Sequence, residues 1–200
     1  MSPDHALPAH ALPYVFDAPL KTDRLVLRLM TADDVDDVHA YQSREDVCRY
    51  QLFEPRTRSE VAERVLQHAT ATTLAVDGDY LQLAIELPAT TDARAHVIGD
   101  SYFTLSSVDN SRGEIGWSLH PAFWGFGYAT EAARAILSIA FDEIGLHRVS
   151  AELDPRNLAS IALCTRLGMR EEAHFVKDLW FKGSWADTSV FALLREEWTA

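Results

Sequence analysis

Apolar residues recur along this chain with two different periods, and the places where the period changes mark its elements. Over residues 25–29 and 114–119 they alternate, the spacing of a strand with one buried side, and Ile115, Trp117 and Leu119 fall on a common face. From residue 129 the spacing becomes helical. Ala129, Ala132, Ala133, Ile136, Leu137, Ala140, Phe141 and Ile144 form one stripe, Glu131, Arg134, Ser138, Asp142 and Glu143 the other face, and Gly145 stands where a helix stops. Thr31 with Asp34, and Thr57 with Glu60, have capping-box spacing; each predicts a helix, the first to about Gln42, the second turning Val61, Val65 and Ala69 inward. Strands are expected over residues 80–87, 97–105 and 147–153, with a hairpin turn at 109–113. Asn157 occupies an N-cap position before a stripe of Leu158, Ile161, Ala162 and Thr165, which Gly168 ends. Two long strands follow, near 170–182 and 188–194, joined through Gly183 and Ser184. The order strand, two helices, three strands, helix, strand, helix, two strands predicts an α/β chain built on a mixed sheet with helices on both faces.

Between the strand at 114–119 and the helix from 129 the chain reads WGFGYATEA, Trp124 to Ala132. Gly125 and Gly127 let the backbone approach a ligand, and the first-turn N–H groups of the helix then converge at its positive end, where a pyrophosphate can be bound without lysine or arginine. Taken alone, this is equally a tight strand-to-helix turn with no ligand. It is neither a P-loop nor the dinucleotide fingerprint G-x-G-x-x-G, because Thr130 stands three residues after Gly127.

A second run, NLASIALCTRLGM from Asn157 to Met169, follows the next strand, and together the two runs change the reading. Here the chain resembles the GCN5-related N-acetyltransferases (GNAT), and within them the branch typified by the bacterial ribosomal-protein N-terminal acetyltransferases. The similarity begins near Leu20 with KTDRLVLR, passes through EIGWSLHPAFWGFGYATEA and NLASIALCTRLGM, and ends with SVFALLREEW. In that family the turn reads Q/R-x-x-G-x-G/A; here Trp124 takes the first position, with Gly127 and Ala129 at the other two. The resemblance implies a mostly antiparallel sheet in which one parallel pair of strands splays apart and leaves a notch for the cosubstrate's pantetheine arm. A right-handed crossover through the helix after Gly127 puts the glycine turn at the C-terminal end of the first splayed strand.

Composition agrees with one domain. The 200 residues are 48% hydrophobic, enough for a single core that hides about 70% of the unfolded surface. Residues 20–200 are read as that domain and residues 1–19, with four of the chain's eight prolines, as an extended arm that is mobile up to about Phe16. No run of 18 or more apolar residues marks a membrane span, and the first residues lack the pattern of a secretory signal. Cys48 and Cys164 show neither a ligand spacing nor a disulfide framework, so no metal is expected and a cytoplasmic location fits. The formal charge of −12 argues against a nucleic-acid partner and suits a cationic acceptor. The reading leaves room for a homodimer.

The resemblance further implies acetyl transfer from acetyl-CoA to an amine. Backbone groups of Trp117 and Leu119 would pair with the pantetheine amide, the turn of Gly125, Phe126, Gly127, Tyr128, Ala129 and Thr130 would hold the pyrophosphate, and Asn157 and Ser160 would meet the pantetheine or acetyl end. Many relatives protonate the leaving thiolate with a tyrosine, but Cys164 stands at that position and a thiol is a poor acid for the task. Ser160 is therefore the expected acid and Glu114, acting through water, the expected base, with Asp178 next in line. Trp180, Trp185 and Tyr80 are candidate walls of the acceptor site. The expected acceptor is a protein or peptide N-terminus; the alternatives are a small-molecule amine (polyamine, antibiotic or amino acid) or a CoA-binding regulatory protein that has lost transfer.

Overall fold

The strands expected from alternation pair into one sheet whose two faces are covered by different helices. A computed structural model describes residues 11–91 and 93–199. Its strands are β1 Tyr14–Val15, β2 Leu20–Lys21, β3 Val26–Leu29, β4 Thr73–Leu74, β5 Tyr80–Leu87, β6 His96–Ser107, β7 Arg112–Leu119, β8 Arg148–Leu153, β9 Arg170–Phe181 and β10 Ser184–Leu194. The helices are α1 Val35–Gln42, α2 Glu45–Cys48, α3 Arg58–Ala69, α4 Tyr128–Ser138 and α5 Leu158–Arg166. The 8-stranded sheet runs β2-β3-β5-β6-β7-β8-β10-β9, antiparallel except where β7 meets β8.

Alternation along β5 decides what covers each face. Leu81, Leu83 and Ile85 join the cluster that Ile136, Leu137 and Phe141 of α4 and its continuation complete, whereas Ala84 faces Val38 and Tyr41 of α1 and Val61 and Val65 of α3. Both capping boxes form. In the second, Glu60 N–H donates to Thr57 Oγ1 at 3.4 Å and Thr57 N–H donates to Glu60 Oε2 at 2.8 Å. The stripe read from Ala129 to Ile144 is buried as expected beyond its first turn, but its last part, Ile139–Ile144, widens into a π-helix, which brings Ile139 to 1% exposure as well, before Gly145 ends it at φ 83°.

Two expectations are corrected. The stripe of α5 is rotated: Leu163 and Cys164 face the core with Leu167 just beyond the helix, while Leu158 is 73% exposed and lies along a cavity described below, its apolar side turned to that groove. The arm is not loose up to Phe16. β1 pairs with β4, Phe16 N–H donates to Thr72 O at 2.8 Å, and the Phe16 ring is 4% exposed within the α4-side core. Residues 1–10 of the expected arm lie outside the described residues.

Because a fully buried phenylalanine contributes heavily to a core, Phe16→Ala should cost about 3–5 kcal/mol of stability in urea unfolding. A variant with an unchanged midpoint would show that the segment adds nothing to the folded body.

Candidate active site

Parallel pairing between β7 and β8 covers only Arg112↔Arg148, Gly113↔Val149 and Glu114↔Ser150. Beyond Glu114 the strands part, and the backbone of β7 is left with one free edge. His120 N–H donates to Ile98 O of β6, so residues of even number turn their peptide groups toward β6 and Trp117 and Leu119 turn theirs to the gap. Outside groups already touch those carbonyls. Gln51 Nε2 donates to Trp117 O at 3.4 Å and the Trp124 indole to Leu119 O at 2.9 Å.

The glycine turn lies past the end of this edge. Gly125 and Gly127 both take φ of 83°, and a side chain at Gly127 would lie 3.5 Å from the Arg24 guanidinium. Gly127 is the N-cap of α4 and carries no capping side chain, and the first intrahelical bond is from Glu131 N–H to Gly127 O at 3.1 Å. The preceding N–H groups of α4 therefore have no intrahelical partner, which is the donor array an anionic diphosphate requires. The turn is braced from below. Arg24 donates to Phe126 O at 2.9 Å and to Glu131 Oε2 at 2.7 Å, and its guanidinium stands 4.6 Å from the centre of the Tyr128 ring. Thr22 Oγ1 donates to the other Glu131 oxygen at 2.6 Å; burial pushes the Glu131 carboxyl up, but these donors hold it below its usual range.

Two cavities meet at the gap. One, of about 690 Å³, runs along the free edge and is lined by Trp117, Leu119, Gly125, Gly127, Tyr128, Ala129, Thr130, Asn157 and Ser160, all expected there; Phe126 contributes its backbone to the turn while its ring is 60% exposed. The other, of about 550 Å³, lies over the opposite face and is lined by Glu114, Tyr80, Asp100, Tyr102, Arg56, Arg64 and His68 among others. Tyr50, Gln51, Trp117, Ser118, Asn157 and Ser160 line both.

At this junction Asn157 caps α5 by accepting from Ser160 N–H at 3.2 Å, and the Trp117 indole N–H donates to Ser160 Oγ at 3.2 Å. The serine oxygen is thereby fixed as an acceptor and its own proton is left for another partner. Cys164 is fully buried and lines neither cavity, and burial pushes its thiol up to about 12. Glu114 sits where the strands part, and burial, followed by the charge of Glu152, raises its carboxyl above the ordinary range.

Other expectations are not met. Leu179 and Phe181 line the second cavity, so alternation sends Asp178 and Trp180 outward; Asp178 is exposed, and Asp187 is the carboxylate that reaches the cavity from this hairpin. Trp180 and Trp185 pack edge to face on the outside, 60% and 56% exposed. Residues not anticipated are Arg24 under the turn and Arg56, Arg64, His68 and Asp100 in the second cavity. His68 is pressed down to about 4, by burial first and then by Arg64 and Arg56. A signal for this wall was present. Gln82, Asp100, Tyr102 and Glu114 are polar residues in strands where the alternate positions supply Leu81, Leu83, Phe103 and Ile115 to the core.

The sequence profile of the acetyltransferase (GNAT) domain matches residues 24–170. The chain belongs to the GNAT acetyltransferase family. It is 31% identical to the uncharacterized N-acetyltransferase p20 of Bacillus licheniformis over 179 residues, 90% of this chain and 97% of that one. A GNAT-family acetyltransferase structure from Bacillus anthracis superimposes with a TM-score of 0.78 at 29% identity, covering 90% of this chain and all (100%) of the other. The spermidine N-acetyltransferase of Vibrio cholerae, solved with CoA and spermine, shares the fold with a TM-score of 0.71 at 19% identity over 88% of this chain and 98% of its own. The chain is thus an acyltransferase with the mixed sheet and single parallel pair of this family. No helix among the described residues is long and apolar enough to cross a membrane, and no cluster of metal-ligating side chains occurs among them.

Two substitutions test the assignment of parts. Gly127→Val forces a β-branched residue to positive φ, a backbone cost of about 1–3 kcal/mol, and should weaken calorimetric CoA binding; unchanged affinity in a folded variant would detach the turn from the cosubstrate. Ser160→Ala should lower kcat by about 10–100-fold with acetyl-CoA affinity nearly unchanged, and wild-type turnover would pass the acid role to water.

Proposed function

We propose that this chain transfers the acetyl group of acetyl-CoA to the primary amine of an acceptor held in the second cavity. The observation that carries the reading is the junction itself: a free strand edge ending at a donor-rich turn on one side, and a carboxylate-lined cavity on the other, with Trp117, Ser118, Asn157 and Ser160 common to both. Acetyl-CoA supplies a thioester whose carbonyl carbon accepts the amine as the carbon–sulfur bond breaks. On the protein side, Trp117 and Leu119 offer peptide groups to its amide-bearing arm and the first turn of α4 offers N–H groups to its pyrophosphate. Ser160, held by the Trp117 indole, is placed to give its proton to the departing sulfur. Glu114 is placed to take the amine's proton through water, and its raised pKa makes it a stronger base than an ordinary carboxylate.

The motif resemblance favours a protein or peptide N-terminus as acceptor. A small amine is the second reading, and a specific contact favours it. Lys182, at the tip of the β9–β10 hairpin, donates to Cys48 O at 2.6 Å and faces Glu54 at 3.6 Å, so the hairpin is latched to the α2 loop beside the cavity.

Thiol release from acetyl-CoA in the presence of a panel of amines and peptides tests the transfer. The rate should rise with pH as Glu114 loses its proton above the usual carboxylate range. In Glu114→Gln that limb should disappear, so kcat falls most near neutral pH and recovers as the amine deprotonates unaided. A change only in acceptor KM would make Glu114 an anchoring charge instead. If neither parameter moves at any pH, Glu114 takes no part.

A further inference from the structure

The charges around the second cavity are segregated by the elements that carry them. The walls from β7, β8 and β10 bring Glu114, Glu152, Asp154 and Asp187, while the opposite wall, from α3 and the loop before it, brings Arg56 and Arg64. Neither arginine forms an ion pair among the described residues, although the chain carries 30 acidic residues against 18 basic ones. Arg56 is half-buried and held in place by neutral contacts: it donates to Gln42 Oε1 at 2.6 Å, and its guanidinium carbon lies 3.7 Å from the centre of the Phe53 ring. Gln42 in turn donates to the fully buried Asp100 at 3.2 Å, so that carboxyl acts on Arg56 from behind the Gln42 amide, and Glu60 acts on it without an ion pair. Burial and the neighbouring Arg64 both press the Arg56 pKa below its ordinary value. A cation in that state is stabilised by any anion that reaches it.

We propose that the acceptor is a small zwitterion, a primary amine that also carries a carboxylate, with the ammonium end drawn to the Glu114 and Glu152 wall and the carboxylate seated on Arg56 and Arg64. This rests on the acetyl-transfer reading above and narrows its acceptor. The same two guanidinium groups disfavour a polyamine, whose second ammonium would meet like charge at the far wall. Planar guanidinium groups suit a carboxylate because they donate two parallel N–H bonds to it.

The test pairs each amino acid with its own amide, which holds size nearly constant and removes the anion, and compares rates at equal concentrations of neutral amine because amidation lowers the pKa of a nearby ammonium. Suitable probes are glycine, β-alanine, 4-aminobutyrate, 6-aminohexanoate and glutamate, with spermidine and an amidated tripeptide as further arms. At least one acid should exceed its amide by about 10- to 100-fold in kcat/KM, the scale of a charge-assisted hydrogen bond. That preference should collapse in Arg56→Gln and in Arg64→Gln; the exposed Arg64 keeps the test open if the half-buried Arg56 variant does not fold. Equal and measurable turnover of acid and amide, or a preference for spermidine or the tripeptide, would overturn the proposal. Calorimetric titration of the same pairs into the CoA-loaded protein separates the two readings. Acid-selective binding that the arginine variants abolish supports the anion wall even where no amine is acetylated, and that pattern would overturn the transfer reading alone. Binding that does not distinguish acid from amide overturns the proposal whatever the rates.

Discussion

The site depends on one early termination. β7 and β8 are parallel neighbours for the length of Arg112 to Glu114, and then their backbones separate. A parallel pair buried in the middle of a sheet normally continues, because an unpaired peptide group away from water carries a cost of about 1–3 kcal/mol. Here the unpaired groups of Trp117 and Leu119 are met in part by Gln51 and Trp124, side chains that occupy the carbonyls without closing the gap. The opening joins a cavity on one side of the sheet to a cavity on the other, and the residues at its apex and rim, Glu114, Trp117, Asn157 and Ser160, are those on which the proposed reaction rests.

Period-two geometry then sorts the chemistry. Along β7, Ile115 is buried in the core beneath α4 and only borders the second cavity, whereas Glu114, Gly116 and Ser118 turn to that cavity's side. The same alternation on β5 and β6 places Tyr80, Gln82, Asp100 and Tyr102 beside them. Each polar side chain on this face is partly withdrawn from water, which explains why burial is the first cause of the shifts at Glu114, Asp100, Tyr102 and His68.

Much of this was legible in the sequence, and what was not has physical reasons. The capping boxes, the α4 stripe, the glycine turn and the Asn157 cap are local signals, formed by residues within one or two turns of each other, and each forms as expected except that the stripe widens into a π-helix over Ile139–Ile144. The α5 stripe misled because apolarity does not say whether a side chain faces a core or a groove, and Leu158 lines the groove. Asp178 and Trp180 could not be assigned a side because the phase of β9 is set by its pairing with β10, which carries a register shift between Ala186 and Thr188. Arg24, Arg56 and Arg64 gave no local signal. Their partners lie far along the chain, as Arg24 and Phe126 do, or, for Arg56 and Arg64, their significance lies in forming no ion pair among the described residues.

The brace under the glycine turn ties two distant parts of the chain into one thermodynamic unit. Thr22 and Arg24 follow β2, the edge strand of the sheet, and their hydrogen bonds end on Glu131 and on the carbonyl of Phe126, inside the turn. Free energy released by an anion at the turn is therefore shared with the sheet's outer edge, since the geometry that presents the amides is the geometry that keeps Arg24 engaged. An edge strand of two residues has little pairing of its own to hold it. With acetyl-CoA at the turn, as proposed, that strand would borrow persistence from it, and the margin of the sheet would be firmest in the loaded protein.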